Sequence, residues 1–192
     1  IAEAYHPGLA TGTGGWSQTE YTNTVSMAQF VAGLFALTLG GWSVAKIGAQ
    51  RAALIMCILV GLFALVFGLA REDWSNPWLL TSYFWQIEFL ATMLSVAFIP
   101  IAMRLCDPRV AATQFTLYMA ASNVGRQLGN SVAAATDEMG SPELMYFALA
   151  GVFAVLAILM WLPRFPTKAP ELAEIIEEHE PIIEGEPAPR FN

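Results

Sequence analysis

Glu88, Asn123, Arg126, Gln127 and Asn130 are the residues whose chemistry is hardest to reconcile with the apolar runs that surround them. The segment 107–129, DPRVAATQFTLYMAASNVGRQLG, is long enough to cross a bilayer, yet it carries Gln114, Asn123, Arg126 and Gln127. An arginine inside a spanning helix costs at least ~2.5 kcal/mol on insertion scales, so it should face protein or water rather than lipid. Residues that costly line a solute or ion path, or lock a bundle together.

Helical periodicity sharpens this. At ~100° per residue, the run beginning at Pro77 places Thr81, Trp85, Glu88, Thr92 and Ser95 on one face. The following run places Thr116, Asn123, Arg126, Gln127 and Asn130 within one broad arc. Gly125 and Gly129 fall on nearly the opposite side, at the small-xxx-small spacing that lets helices approach closely. Glu88 lies ~16 Å and Arg126 ~14 Å from the same membrane face, at 1.5 Å per residue. A carboxylate at the depth of a cation is a natural protonation switch, because its proton affinity depends on whether the cation is free or engaged. Glu88 would then exchange a proton while Arg126 holds an anionic group of a solute. The structural alternative is a fixed ion pair tying two helices together. Trp85, one turn from Glu88, could stack on a ring of the solute, whereas Gln29 and Gln114 read as hydrogen bonds between helices.

Five runs reach the roughly 20 apolar residues that a span needs. They are 25–45, 52–70, 77–103, 110–135 and 143–162. Asn76-Pro77, Asp107-Pro108 and Ser141-Pro142 each place a capping side chain before a proline at the first helical position. Ser17 with Glu20 has capping-box spacing, and Pro100 should bend the third span near its end. Residues 1–24 read as a polar outer loop following a helix that the chain lacks. Residues 164–192 read as an acidic, disordered tail.

The composition agrees with a membrane chain: 13% of residues are charged, against about 25% in a soluble domain. The net charge of −7 says little about partners, because it gathers in the glutamates after Ala169. Lys46 and Arg51, Arg104 and Arg109, and Arg164 and Lys168 fall at alternate connections, which makes that side, and the C-terminus, cytoplasmic. The tryptophans Trp16, Trp74, Trp78 and Trp161 fit an interfacial belt. Cys57 and Cys106 match no metal or disulfide spacing, and His6 and His179 read as solvated. No metal cluster, nucleophile elbow or nucleic-acid patch is present, so neither an enzyme nor a cofactor is indicated. Without a phosphate-binding glycine-lysine loop, transport would draw on an ion gradient or a partner, not on ATP bound here.

The loop GGWSVAKIGAQR, 40–51, resembles the cytoplasmic gating-loop motif of the major facilitator superfamily, with Gly41, Lys46, Gly48 and Arg51 matching and Ala45 at its acidic position. The stretches SQTEYTNTVSMAQFVAG and AATQFTLYMAASNVGRQLG look more specifically like the AmpG-type muropeptide permeases and the peptide/acetyl-coenzyme A transporter group. The resemblance implies an all-α, polytopic bundle in which these spans are helices eight to twelve of twelve, the C-terminal half, with helices one to seven missing from the same polypeptide. It also implies proton-driven import of cell-wall fragments across a bacterial inner membrane, with Glu88 on a cavity-lining tenth helix. The substrate-binding candidates are Arg126, Asn123, Gln127, Asn130, Thr92 and Trp85. The partners are the lipid bilayer and a small-molecule substrate, with no nucleic acid. A coenzyme A ester or a peptide as solute, or a receptor or assembly factor that transports nothing, are the alternatives.

Overall fold

In lipid a backbone can satisfy its N–H and C=O groups only within a helix or a closed barrel. The computed structural model, which describes residues 2–107, 110–138 and 141–162, is helical, with no strand among them. The helices are α1 (Ala2–Gly8), α2 (Gln18–Phe35), α3 (Gly41–Ile47), α4 (Ala49–Leu69), α5 (Pro77–Arg104), α6 (Ala111–Glu138) and α7 (Glu143–Trp161). A π-helical turn, Ala36–Gly40, joins α2 to α3, so that Gln18–Ile47 runs as one rod. There the Thr38 hydroxyl donates at 3.3 Å to the carbonyls of Leu34 and Phe35, adding bonds where the helical ladder changes register.

Among the described residues, four helices are long and apolar enough to cross a membrane: Gln18–Ile47, Ala49–Leu69, Pro77–Arg104 and Glu143–Trp161. The expected fifth span is α6, and it meets that test in length alone. Its 28 residues would reach ~42 Å, but Gln114, Asn123, Arg126, Gln127 and Asn130 lower its apolarity.

Two helix starts follow the sequence closely. Ser17 and Glu20 form a complete capping box, the Ser17 hydroxyl accepting from Glu20 N–H and the Glu20 carboxylate accepting from Ser17 N–H. Asn76 accepts from Trp78 N–H at 3.0 Å, with Pro77 opening α5. The start of α7 differs. Its first turn follows Pro142, no side chain caps it, and Ser141 contributes only its carbonyl, which accepts from Leu144 N–H. Pro108 and the tail from 163 onward lie outside the described residues, as do Arg109, Arg164, Lys168 and His179. Pro100 sits inside α5, which continues through it to Arg104.

Three expectations are corrected. Residues 2–13 are helical rather than loop, because Leu9 and Ala10 are fully buried and their packing outweighs the Gly/Thr-rich composition. His6 is 2% exposed instead of solvated, held by Tyr83. Trp74 is buried rather than interfacial: its indole N–H donates to the Phe67 carbonyl at 2.9 Å and its ring stacks on Phe67. Trp78 and Trp161 are exposed, as an interfacial belt requires.

The main seam joins α4 to α7. Cys57, Gly61, Ala64 and Gly68 recur along one side of α4 and let α7 approach. A Cβ on Gly68 would stand 3.1 Å from Tyr146 Cβ and from the Phe147 ring. Gly68→Leu should therefore destabilise the bundle by roughly 1–3 kcal/mol through overpacking. Thermal unfolding in detergent would measure this, and a melting point equal to the parent's would contradict the seam. Around Tyr83 the core is aromatic: Phe67 stacks on it at 3.8 Å, Phe63 at 5.7 Å, and Tyr146 meets it edge-on.

Candidate functional site

The antiparallel order of the helices sorts the charges into two ends. At one end lie Lys46 and Arg51, on either side of Gly48, and Arg104 at the close of α5, all three exposed. Gly48 alone connects α3 to α4 with φ +87°, where a side chain would be strained, so a glycine is required by the turn itself. Lys46 Nζ lies 4.8 Å from the centroid of the Trp42 ring, and Gln50 donates to the Met160 carbonyl at 2.7 Å, tying this end of α4 to the end of α7. At the opposite end, Arg71 donates to Glu143 Oε1 at 2.7 Å and ties the α4–α5 turn to the start of α7.

Between these ends lie the polar candidates. Glu88 is eleven residues into α5, ~16 Å from the Arg71 end, and Arg126 is twelve residues before the close of α6, ~18 Å from the same end. By this count along each helix the two stand at similar heights. Glu88 is half-buried, and its carbonyl accepts from the Thr92 hydroxyl at 2.8 Å, so that hydroxyl's proton is used within the helix. Thr81, Ser95 and Thr116 likewise donate to carbonyls four residues back. These hydroxyls keep acceptor capacity while adding no exposed donor, which is how a spanning helix carries Ser and Thr at low cost.

On α6, Asn123, Arg126 and Gln127 are exposed and Asn130 is half-buried. This helix lies chiefly against α1 and meets α5 and α7 only in part. Toward its N-terminal half it stands away from α5, leaving a cleft of ≈ 540 Å³ whose lining includes Ser95, Phe98, Tyr118, Met119 and Ser122. Ser95 thus faces α6, whereas Trp85 lines a separate apolar groove of ≈ 690 Å³ among Val31, Phe35, Leu62 and Phe89. The polar face read from periodicity is therefore shared between two clefts. Gly129 is buried, while a Cβ on Gly125 would meet open space, so the small-residue pair does not form one continuous contact.

Gln114 accepts from Asp107 N–H at 2.6 Å, a bond back to the turn before α6 and not one across to another helix. Gln29 is exposed. Cys57 and Cys106 are both free thiols, and no cluster of metal-ligating residues occurs among the described residues.

The sequence reading did not bring together one polar cluster. His6, Tyr83 and Tyr146 meet inside the aromatic core near the Arg71 end, with His6 Nε2 2.9 Å from the Tyr83 hydroxyl. Burial lowers the His6 pKa from 6.5 to about 3, so its imidazole is neutral. The partners are 77 residues apart in sequence, and nothing local marks the pair. Tyr146 in an otherwise apolar helix was the available signal, since a buried phenol calls for a partner.

Compared with family models, the chain matches that of the Major Facilitator Superfamily over residues 1–190. Comparisons with curated proteins and with solved structures returned no match.

Proposed function

This chain belongs to the major facilitator superfamily, a family of multi-pass membrane transporters, and on that footing we propose that it supplies helices eight to twelve of a proton-coupled importer. The solute class is small and anionic or amphipathic, and an anhydromuropeptide is the first to test. In this reading α6 is the fifth span, the end bearing Lys46, Arg51 and Arg104 is cytoplasmic, and the membrane is a bacterial inner membrane. The C-terminus is then cytoplasmic as well.

The observation that carries the reading is the pairing of depths: a half-buried Glu88 on α5 and an exposed polar arc of Asn123, Arg126 and Gln127 on α6, both well inside the span. An arc of that polarity is too costly to leave against lipid, so it belongs against water, solute or further helices of the polypeptide. Glu88 would take the proton, Arg126 would hold the anionic group in bidentate fashion, and Asn123, Gln127, Asn130 and Thr92 would complete the polar lining. Trp85 would contribute an apolar surface one turn away. Rocking of one half of the bundle against the other about such a midplane site is how secondary transporters alternate access. Gly41, Lys46, Gly48 and Arg51 would form the loop that gates it.

The test is uptake of labelled anhydromuropeptide by proteoliposomes with and without an inward proton gradient. Accumulation driven by the gradient is the expected result. A coenzyme A ester or a peptide taken up instead would keep the transport role and replace the solute. No uptake of any of them by folded protein would leave a receptor or assembly factor with a transporter's fold.

A further inference from the structure

α1 sets a buried polar side chain, His6, among aromatic rings. His6 stands edge-on to Tyr83 and to Phe84, both at 5.3 Å, and its Nε2 shares a hydrogen bond with the Tyr83 hydroxyl. The titratable groups around it are Tyr5 on α1 itself, Tyr21 on α2, Tyr83 on α5 and Tyr146 on α7. Glu88 lies farther along α5, the Arg71–Glu143 pair stands one turn before Tyr146, and α6 contributes Ala133 to the same core. None of the groups next to the imidazole carries a charge that would welcome an imidazolium. Tyr146 adds a second feature: its hydroxyl is buried and interacts with that of Tyr83. A buried phenol beside Tyr83 can take up the bonding that Tyr83 now shares with His6.

We propose that α1 is a pH-sensitive latch: docked while His6 is neutral and bonded to Tyr83, and released when His6 takes up a proton, with Tyr83 turning to Tyr146. The two states differ in where the imidazole sits, which is the differential interaction a switch needs. The sign follows from burial. Docked, the histidine holds its proton only below about pH 3, whereas exposed it titrates near 6.5. Docking is therefore fully favoured above pH 6.5 and weakens as the pH falls below it. From pH 7.5 to 5.5 the released population should grow about tenfold, the ratio of protonated to neutral exposed histidine at the lower pH. The latch is independent of how the solute is moved, because its readout needs no transport.

Cysteine accessibility in the intact protein, reconstituted in proteoliposomes at equal pH on both sides, would test this. Cys57 and Cys106 are first replaced by Ala. Ala10→Cys then places a reporter in the buried turn after α1, and Leu9→Cys gives a second reporter should the first impair folding. Thr11→Cys, at an exposed neighbour, normalises the intrinsic pH dependence of the thiol reaction. With His6 present, the normalised labelling rate should rise about tenfold between pH 7.5 and 5.5; with His6→Phe, which keeps the ring and cannot take a proton, it should change less than twofold. A flat profile with His6, or the same rise in His6→Phe, would overturn the latch.

Discussion

Glu88→Gln should abolish gradient-driven accumulation of the solute while leaving exchange of solute across the membrane intact. Glutamine keeps the shape and the hydrogen-bonding reach of the side chain but has no proton to gain or lose. The loss expected is of the dependence on the gradient, at least tenfold, together with flattening of the pH profile of uptake. Exchange needs no net proton movement, so it isolates coupling from binding. If Glu88 served only as one half of a fixed tie, the variant would instead melt at lower temperature and lose both activities in proportion to its unfolding. Measuring uptake, exchange and thermal unfolding on the same preparation separates these outcomes. Uptake and pH dependence that both match the parent would remove Glu88 from the mechanism.

Arg126→Met should weaken the apparent affinity for an anionic solute by roughly ten- to a hundredfold, since a hydrogen bond to a charged group contributes about 1.5–3 kcal/mol. Methionine keeps length and flexibility without charge. Arg126→Lys should recover only part of the loss, because an ammonium keeps the charge but not the planar fork that grips a carboxylate. Arg126 is exposed on α6, so thermal unfolding measured beside affinity separates lost binding from lost folding. A double variant with Glu88→Gln gives a further distinction. Were the two residues simply a buried pair, removing both would restore stability lost by removing either. If they serve coupling and binding separately, the double variant should lose gradient dependence and affinity together. An affinity for anionic solute unchanged in Arg126→Met would exclude the residue from binding.

What could be read from the sequence is the part governed by local rules. The capping box at Ser17 and Glu20 and the Asn76-Pro77 start of α5 depend on side chains two or three residues apart, and both form as read. The apolar runs delivered four helices able to cross a membrane, and α6 formed over its whole length despite its polar residues. Depth along a helix is also local arithmetic, and the similar heights of Glu88 and Arg126 come from that spacing. The misreadings are tertiary. Gly8, Gly12, Gly14 and Gly15 make residues 1–24 look like loop, yet burial of Leu9 and Ala10 draws residues 2–13 into helix. His6 and Trp74 were placed in water and at the interface because their partners, Tyr83 and the Phe67 carbonyl, are fixed by packing. The π-helical turn at Ala36–Gly40 has no composition signal, since it is a change of register inside an otherwise regular apolar run. Periodicity gave Trp85 and Ser95 a common face, but α5 is flanked by clefts on two sides and the pair divides between them.

The central claim, that this protein moves its solute together with protons through Glu88, is tested most directly by solute-induced proton movement. Weakly buffered proteoliposomes with no imposed gradient would be mixed with solute while external pH is followed. The account predicts transient alkalinisation outside as protons enter with solute, at a rate that scales with solute uptake, and none in Glu88→Gln. Solute entry without any change of pH in the parent protein would contradict it.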